Sequence, residues 1–339
     1  MVRIKDIALR CHTSVATVSK ALHDSPELSP STIEKIKRTA KKMGYVPNVY
    51  AQALKLKRSY SIGVVFYDST TKGGLRHEFF SGILEAVKSK AEEKGYAITF
   101  LSRNKADSPH QRTYLEAAQF RNRDGIIVVS ESFTDPEIVD LVHSPIPVVT
   151  IDYLFPGKTA VRSDNLSGTG KLVDYLASLG HKKIAYIHGE RTDVTEKRRQ
   201  SFKEARKRNG LPILPGRVKE AAYHDPKASG RETKRILALG EMPTCILYPD
   251  DVSILGGITA LTQSRRRIPE DISVVGYDGA EISRIFRPRI TTWVQNSEEL
   301  GTKAAEELIE NIENPDSYTP KVINITGTLQ EGATVKSMK

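Results

Sequence analysis

A cluster of small, hydroxyl-bearing and basic side chains occupies residues 14–20, where the sequence reads SVATVSK. Lysine can donate hydrogen bonds to guanine O6 and N7, and small apolar side chains can contact the methyl group of thymine. Hydroxyl groups commonly donate to phosphate oxygens. We therefore expect this segment to contact double-stranded DNA. The expected contacts are Ser14, Val15, Ala16, Thr17, Ser19 and Lys20.

Acidic residues stand near apolar runs in the rest of the chain. Asp68 follows the run at 62–67, Asp278 ends the string VVGYD, and Asp164 lies in the polar stretch VRSDN. Polar side chains at the carboxyl ends of parallel strands face the crevice in which such folds bind ligands. These carboxylates are therefore predicted to accept hydrogen bonds from a small polar ligand.

Motifs of catalysis are absent from the sequence. It contains no nucleophile elbow, Walker loop, His-Glu-x-x-His or Gly-x-Gly-x-x-Gly motif. Its eight histidines show no metal-ligand spacing with its two cysteines. We expect no enzymatic activity, no cofactor and no metal. The alternatives that the body of the chain leaves open are a sugar-processing α/β enzyme and a stand-alone sugar-binding protein.

Three short helices are predicted to position residues 14–20. The first covers about residues 4–11, and the second follows Ser14, a favourable N-cap, and ends near residue 22. The third follows Ser29-Pro30 and ends before Gly44. His12 lies in the first turn, and histidine is enriched in the left-handed backbone conformation that such a turn uses. The pattern predicts a helix-turn-helix, whose second helix lies in the major groove.

The positive charge of the chain is concentrated in this head. The first 60 residues contain 12 lysines and arginines and 4 acidic residues, whereas the other 279 contain 39 and 37. A basic head on a near-neutral body is typical of a nucleic-acid-binding module. At 339 residues, the chain exceeds what one core usually supports. The charged start, the lack of a long apolar run and the two cysteines predict a cytoplasmic protein.

Short apolar runs alternate with amphipathic stretches from residue 61 onwards. This alternation predicts parallel strands, buried on both faces and separated by helices. The strands could form one barrel or two open sheets. A change to a polar stretch near residue 160 favours two sheets. The runs lie at 62–67, 96–101, 125–129, 147–151, 183–188, 244–248, 272–277 and 290–294.

The strings IKDIA, TSVATVS and YVPNVYAQAL resemble the lactose-repressor/galactose-repressor (LacI/GalR) family of bacterial transcription regulators. The resemblance covers essentially the whole chain. It implies an α/β protein with a helix-turn-helix head, a hinge helix and a periplasmic-binding-protein-like core of two doubly wound parallel-sheet subdomains. The implied boundaries are 1–46 for the head, 47–60 for the hinge helix and linker, 61–161 plus 296–320 for the N-subdomain, and 162–292 plus 321–339 for the C-subdomain.

The resemblance also assigns DNA contacts to the hinge. Leu54 takes the place of a leucine that the family wedges into the minor groove at the centre of the operator, with Lys55 next to it. Apolar wedges of this kind unstack a base step and kink the DNA. Asn48 can cap the short hinge helix. A core position in a linker helix is the alternative for Leu54.

Further residues of the body acquire a role from the same resemblance. Arg198 takes the place of the family's ligand arginine, with Arg199 as a rival, and an aromatic residue would stack on the ligand. Several carboxylates and one arginine favour a polyhydroxylated ligand such as a sugar. For Phe79 and Phe80 a core position in a helix is the alternative, and for Asp164 a helix cap. The implied effector contacts are Asp68, Phe79, Phe80, Asp164, Arg198, Asp250 and Asp278.

These features together predict a ligand-responsive transcriptional regulator, a repressor that binds a pseudo-palindromic operator. Its predicted partners are double-stranded DNA, a carbohydrate effector and a second copy of the chain, with no membrane. A homodimer is favoured over a tetramer because no leucine-heptad segment follows residue 330. The expected location is the cytoplasm, at the nucleoid, and the effector is expected to act as an inducer.

Overall fold

The computed structural model describes residues 2–45, 58–66, 74–102, 112–130, 132–212 and 214–339. It divides into two compact units, Met1–Ser59 and Tyr60–Lys339, called here the head and the body. Asn48, Leu54, Lys55 and Asp68 lie outside the described residues. Within the described ranges, no helix has the length and apolar character needed to cross a lipid bilayer.

The head consists of three helices around a small apolar core. They are α1 (Ile4–Cys11), α2 (Val15–Leu22) and α3 (Pro30–Lys42), as the capping residues predict. The Ser29 hydroxyl accepts a hydrogen bond from the backbone N–H of Thr32 at 3.3 Å, and Pro30 occupies the first helical position. The fully enclosed side chains of the core come from all three helices: Ile7, Val18, Ala21 and Ile36.

The body alternates strands and helices. Its described strands are β1 (Ser61–Phe66), β2 (Ala97–Leu101), β3 (Gly125–Ser130), β4 (Val148–Ile151), β5 (Thr159–Ser163), β6 (Ile184–His188), β7 (Val218–Glu220), β8 (Cys245–Leu247), β9 (Ser273–Asp278), β10 (Thr291–Val294), β11 (Val322–Ile325) and β12 (Thr328–Gln330). Its described α-helices are α4 (Glu78–Glu93), α5 (Tyr114–Phe120), α6 (Pro136–His143), α7 (Gly168–Ser178), α8 (Asp193–Arg208), α9 (Pro226–Leu237), α10 (Ser253–Gln263), α11 (Glu281–Ile285) and α12 (Ser297–Glu313).

These strands form two sheets. The first has the order β11-β5-β4-β3-β1-β2 and the second the order β12-β10-β9-β8-β6-β7. Neighbouring strands pair in parallel, except β10 and β12, which are antiparallel. Each sheet has an apolar core on both faces. The prediction of two doubly wound sheets rather than one barrel is therefore confirmed.

The first sheet depends on a helix from late in the chain. Helix α12 packs beside α4 on one face of this sheet, with Leu300 and Leu308 in the shared core. The two helices approach closely at Gly301, where a Cβ atom would lie 2.2 Å from the carbonyl oxygen of Ile83. A larger residue at this position would push the helices apart.

The chain passes between the two sheets three times. It crosses from β5 to β6, returns from β10 to α12 and β11, and crosses again to β12. The boundary predicted at residue 321 is wrong, because β11 pairs with β5 in the first sheet. Ile323 and Ile325 pack into the core of that sheet, which holds the strand there. The first sheet also extends to Ser163, beyond the predicted limit at 161.

Candidate functional site

The turn before α2 places the start of this helix on the surface of the head. His12 adopts φ 54° and ψ 49°, the left-handed conformation that the sequence predicts. The Ser14 hydroxyl accepts a hydrogen bond from the backbone N–H of Thr17 at 3.0 Å and so caps the helix. Val18 and Ala21 are fully buried against the other helices. The opposite face of α2 is left open.

This open face contains the residues predicted to contact DNA. Ser14, Val15, Ala16 and Lys20 are exposed, and Thr17 and Ser19 are half-buried. Val15 is 48% exposed, which is a large apolar exposure for a head with so small a core. The Lys20 ammonium pairs with the Glu27 carboxylate, and its side chain remains 47% exposed. An ion pair this exposed contributes little to stability, so Lys20 can exchange Glu27 for an acceptor on DNA.

A cavity of about 450 Å³ lies between the two sheets, at the carboxyl ends of their strands. Of the residues predicted to bind a ligand, the structure brings four together in its wall: Phe79, Phe80, Arg198 and Asp278. The described polar and aromatic residues of the wall also include His77, Ser130, Ser132, Phe133, Thr134, Asp152, Tyr153, Glu190, Arg191, Thr192, Asp193, Tyr223, His224 and Gln295.

Arg198 projects from α8 into this cavity and is 6% exposed. Its Nε donates a hydrogen bond to Asn165 Oδ1 at 2.9 Å, and its guanidinium lies 3.9 Å from the centre of the Tyr277 ring. Burial alone would lower the pKa of Arg198, but Tyr277, Tyr223 and Asp278 raise it overall, so the group stays charged. Among the described residues, no group accepts a hydrogen bond from its two terminal amino groups.

Asp278 ends β9 in an unusual backbone conformation, with φ 102°. Its Oδ1 accepts a hydrogen bond from Gln295 Nε2 at 2.7 Å, and its Oδ2 lies 3.9 Å from His224 Nε2, which is beyond hydrogen-bond reach. A non-glycine residue at such a φ costs roughly 1–3 kcal/mol, and strain of this kind is concentrated at functional sites. The geometry turns the Asp278 carboxylate into the cavity.

The structure places Asp164 and Asp250 outside the wall of the cavity. Asp164 accepts hydrogen bonds from the backbone and hydroxyl of Ser167, at the turn into α7. Asp250 is fully buried and accepts hydrogen bonds from the backbone N–H of Val252 and both donors of Ser253. It also accepts one from the backbone N–H of His224 at 3.0 Å. Both carboxylates therefore stabilise the conformation of loops, and Asp250 also positions His224.

The two cavity aromatics predicted from the sequence lie at the start of α4. Phe80 packs edge-on against Phe66, with 5.6 Å between ring centres, and against His77, with 4.6 Å. Phe79 contacts Phe80 at 5.3 Å. Both rings are half-buried, line the cavity and also pack against the core of the first sheet. A core position for Phe79 therefore does not exclude a place in the cavity wall, and its contact with a ligand stays a prediction.

Three acidic residues of the described cavity wall were missed from the sequence, of which Asp193 lies on the exposed side and Asp152 and Glu190 lie farther in. Asp152 follows β4, and its Oδ1 accepts a hydrogen bond from the backbone N–H of Ser163 at 2.6 Å. Burial raises the pKa of Asp152, although the bond from Ser163 opposes this shift. Glu190 follows β6, and its Oε2 accepts a hydrogen bond from the backbone N–H of Tyr223 at 2.8 Å. Both follow a strand, so the rule that led to the prediction of Asp68 could have found them.

His77 and His224 lie opposite each other in the cavity. The first precedes α4, which packs on the first sheet, and the second follows β7 of the second sheet. Their ring centres are 3.9 Å apart, with the planes at 56°. This contact joins the two walls of the cavity. Within the parts of the chain that the structure describes, no group of three or more acidic, histidine or cysteine side chains could hold a metal ion.

The geometry agrees with known families. Residues 3–48 match a family model described as bacterial regulatory proteins, lacI family, and residues 173–335 match one described as a periplasmic binding protein-like domain. The HTH-type transcriptional repressor PurR of Haemophilus influenzae strain PittEE is 31% identical, over 100% of both chains. The probable HTH-type transcriptional repressor ExuR of Bacillus subtilis strain 168 is 29% identical, over 96% of each chain. Among solved structures, the lac repressor dimer bound to operator and the anti-inducer ONPF matches with a TM-score of 0.83 and 25% identity, over 99% of both chains.

Proposed function

The chain belongs to the LacI family of bacterial regulatory proteins. We propose that it is a repressor whose affinity for DNA changes when a sugar binds in the cavity of the body. It is a DNA-binding transcriptional regulator and not an enzyme. We propose that two copies bind a pseudo-palindromic operator, in the cytoplasm and at the nucleoid. The observation that carries this proposal is the pairing of two sites in one chain: an open recognition face on α2 and a polar cavity that contains Arg198 and Asp278.

Recognition of the operator follows from the exposed start of α2. The first residues of a recognition helix reach base edges in the major groove. Val15 and Ala16 are exposed there and suit thymine methyl groups, whereas Lys20 lies farther along the helix and suits guanine. The hydroxyls of Ser14, Thr17 and Ser19 suit phosphates, which fix the position of the helix without reading the sequence.

We expect Lys20→Ala to relax base preference at one or two positions in each half-site. The loss of discrimination should be roughly 1–3 kcal/mol, because one base contact is removed. Binding selection from a randomised duplex library, followed by sequencing, measures this preference. Lys41→Ala removes the same charge from an exposed position on α3 and serves as the control, with a uniform effect across sequences. An unchanged preference in Lys20→Ala would show that Lys20 contacts no base.

The same selection tests the proposed function itself. A dimer with two-fold symmetry should recover a pseudo-palindromic site, with half-sites spaced by about one turn of DNA or a multiple of it. Stoichiometry by light scattering should then give two chains for each duplex. Recovery of an asymmetric site bound by one chain, or no enrichment at all, would contradict the proposal.

We expect Leu54→Ala to weaken operator binding and reduce the bend of the bound DNA. The proposal for this residue rests on the resemblance of its segment to the family's hinge. An apolar wedge costs a few kcal/mol of unstacking and makes further contacts possible, so its loss should weaken binding by about tenfold or more. Gel mobility of circularly permuted fragments measures the bend. Wild-type bend and affinity in this variant would mean that Leu54 is only a packing residue.

The effector acts on DNA binding by thermodynamic linkage. If the sugar binds the form of the body that releases the operator, the operator must weaken sugar binding by the same factor. We propose this sign, that of an inducer, because the cavity offers the acceptors and the arginine expected of a sugar site. Measurement of operator affinity with and without sugar gives the sign, and tighter operator binding with sugar would make the effector a corepressor.

A further inference from the structure

Among the described residues, the inner wall of the cavity has more acidic than strongly basic side chains. The acidic side chains of this inner wall are Asp152, Glu190 and Asp278, and its described strongly basic side chain is Arg198. The two other charged residues of the wall lie at its rim and have partners of opposite charge. Arg191 is 81% exposed and lies 3.7 Å from the Glu220 carboxylate, and Asp193 pairs with Lys197.

Among the described residues, Arg198 is the inner-wall cation that faces these carboxylates, and Lys197, which does not line the wall, also interacts with Asp152. Asp152 and Asp278 both interact electrostatically with Arg198, which therefore serves two carboxylates. Behind Asp278 lies a further acid, Asp251, whose pKa is raised well above its usual value by burial and by the charge of Asp278. A ligand that brought another negative charge into this wall would be repelled by these carboxylates, which already share the charge of Arg198.

Gln295 supplies a second observation that points to the ligand. Its side-chain oxygen Oε1 is buried in the wall, and among the described residues it has no hydrogen-bond donor. The orientation of the amide is settled by Asp278, because a carboxylate only accepts hydrogen bonds and so requires Nε2 at 2.7 Å. A buried acceptor without a partner is costly, so a donor from the ligand would relieve that cost.

The wall offers both acceptors and donors that have no hydrogen-bond partner among the described residues. Gln295 Oε1 and Asp278 Oδ2 can accept hydrogen bonds, and the terminal amino groups of Arg198 can donate them. A hydroxyl group donates and accepts at once, so neighbouring hydroxyls on one ligand match both kinds. An amine matches the acceptors and gains from the negative wall. Of these three groups, a carboxylate or a phosphate matches only the amino groups of Arg198.

We propose that the cavity selects polyols that are uncharged or carry an amine, that it rejects their acids and phosphate esters, and that Gln295 Oε1 accepts a hydrogen bond from a ligand hydroxyl or amine. The proposed function is the premise of this inference, because it takes the cavity as the effector site. Gln295 thereby becomes a specificity residue, beside the arginine and the carboxylates that the resemblance implies.

Matched sets of ligands test the charge selectivity. Calorimetry of the full-length protein measures the affinities for glucose, glucosamine, glucuronate and glucose 6-phosphate. Galactose, mannose and ribose are compared with their own amino, acid and phosphate derivatives where these exist. We expect an uncharged or amine-bearing member to bind, and its acid and phosphate to bind at least about tenfold more weakly. An acid or phosphate that binds more tightly than its uncharged match overturns the inference but leaves a sugar-responsive regulator in place. If no member of any set binds, the proposed sugar effector itself is contradicted.

Two variants locate the source of the selectivity. Glu190→Gln removes one negative charge from the wall and should narrow the gap between the uncharged and the anionic ligands by about tenfold. Asp174→Asn removes one charge from the surface of α7, where Asp174 contacts Arg208 and Asn209, and should leave the gap unchanged. Equal effects of the two variants, or no effect of Glu190→Gln, would mean that the wall does not select by charge.

The role of Gln295 needs a measurement that a merely structural role would not affect. Gln295→Met keeps the size of the side chain and removes the acceptor, and it should weaken the best ligand by about tenfold. Monodeoxy analogues of that ligand complete a double-mutant cycle. The analogue that lacks the partner hydroxyl should lose affinity for the wild type but not for Gln295→Met. Additive losses for every analogue would overturn the hydrogen bond to Gln295, even if the variant is less stable.

Discussion

Operator affinity is expected to fall by roughly 10³-fold or more when the salt concentration rises from about 50 to about 200 mM. Each lysine or arginine that contacts a phosphate releases condensed counterions from the DNA, and two copies of the head bring many such groups. The first 60 residues contain 12 lysines and arginines against 4 acidic residues. Fluorescence anisotropy with a labelled operator over a salt series measures the slope of log K against log salt.

The control for this experiment is sugar binding by the same preparation. The cavity buries few charged contacts to an uncharged ligand, so its affinity should hardly change over the salt series. Operator binding that is equally insensitive would mean that phosphate contacts are not the main source of affinity. A steep slope for random DNA alone, with a flat slope for the operator, would also contradict the expected mode of binding.

Arg198→Ala is expected to abolish the response of operator binding to the effector. The variant loses hydrogen bonds to the ligand worth roughly 1.5–3 kcal/mol, or a factor of roughly 10 to 150 in affinity. It also removes the cation that interacts electrostatically with both Asp152 and Asp278, which adds to the loss. Asp278→Ala should have a similar effect, because it removes an acceptor of hydrogen bonds from the ligand, whereas Arg198→Ala removes donors. Titration of a preformed operator complex with the sugar measures the response.

Arg199→Ala is the matched control for this variant. Arg199 is the next residue of α8, but its guanidinium pairs with Glu196 instead of lining the cavity. The response to sugar should survive in Arg199→Ala. If Arg199→Ala abolished the response and Arg198→Ala did not, the ligand arginine would be Arg199. A normal response in both variants would place the effector site elsewhere.

The head could be predicted almost residue by residue because local signals set its helices. Ser14 caps α2, Ser29 and Pro30 start α3, and His12 takes the left-handed turn that its residue type permits. Each of these signals acts over a few neighbouring residues, so it can be recognised from the sequence alone. The long helices and the central strands of the body were predictable for a similar reason, since their apolar patterns are continuous.

The edges of the two sheets could not be predicted in the same way. β7 is three residues long and has two exposed residues, and β11 alternates exposed residues with residues that are half-buried or buried. Neither contains the continuous apolar run that marks a central strand. The partner of β11 is β5, which lies far away in the sequence, so pairing decides the assignment and local pattern does not. The misplaced boundary at residue 321 follows from this.

The cavity was predicted in part. The rule that polar residues follow parallel strands found Asp278, which lines the cavity. The resemblance to the family suggested Asp250, but its carboxylate does not line the cavity and instead accepts hydrogen bonds from the backbone of His224 and Ser253. Gln295 could not be found from its own residue type, since its role depends on Asp278, which takes its amide group and leaves its oxygen free.

The three crossings of the chain between the sheets bear on the order in which the protein can be completed during synthesis. Strand β5 of the first sheet leaves the ribosome early, but the strand that covers its outer edge, β11, is made only after β6–β10 of the second sheet. At roughly 5–20 residues per second, that edge waits on the order of ten seconds for its neighbour. The apolar core of the first sheet also stays incomplete until α12 has been synthesised. A nascent chain that stalls in this interval presents an open sheet edge, and open edges are where chains pair wrongly with one another.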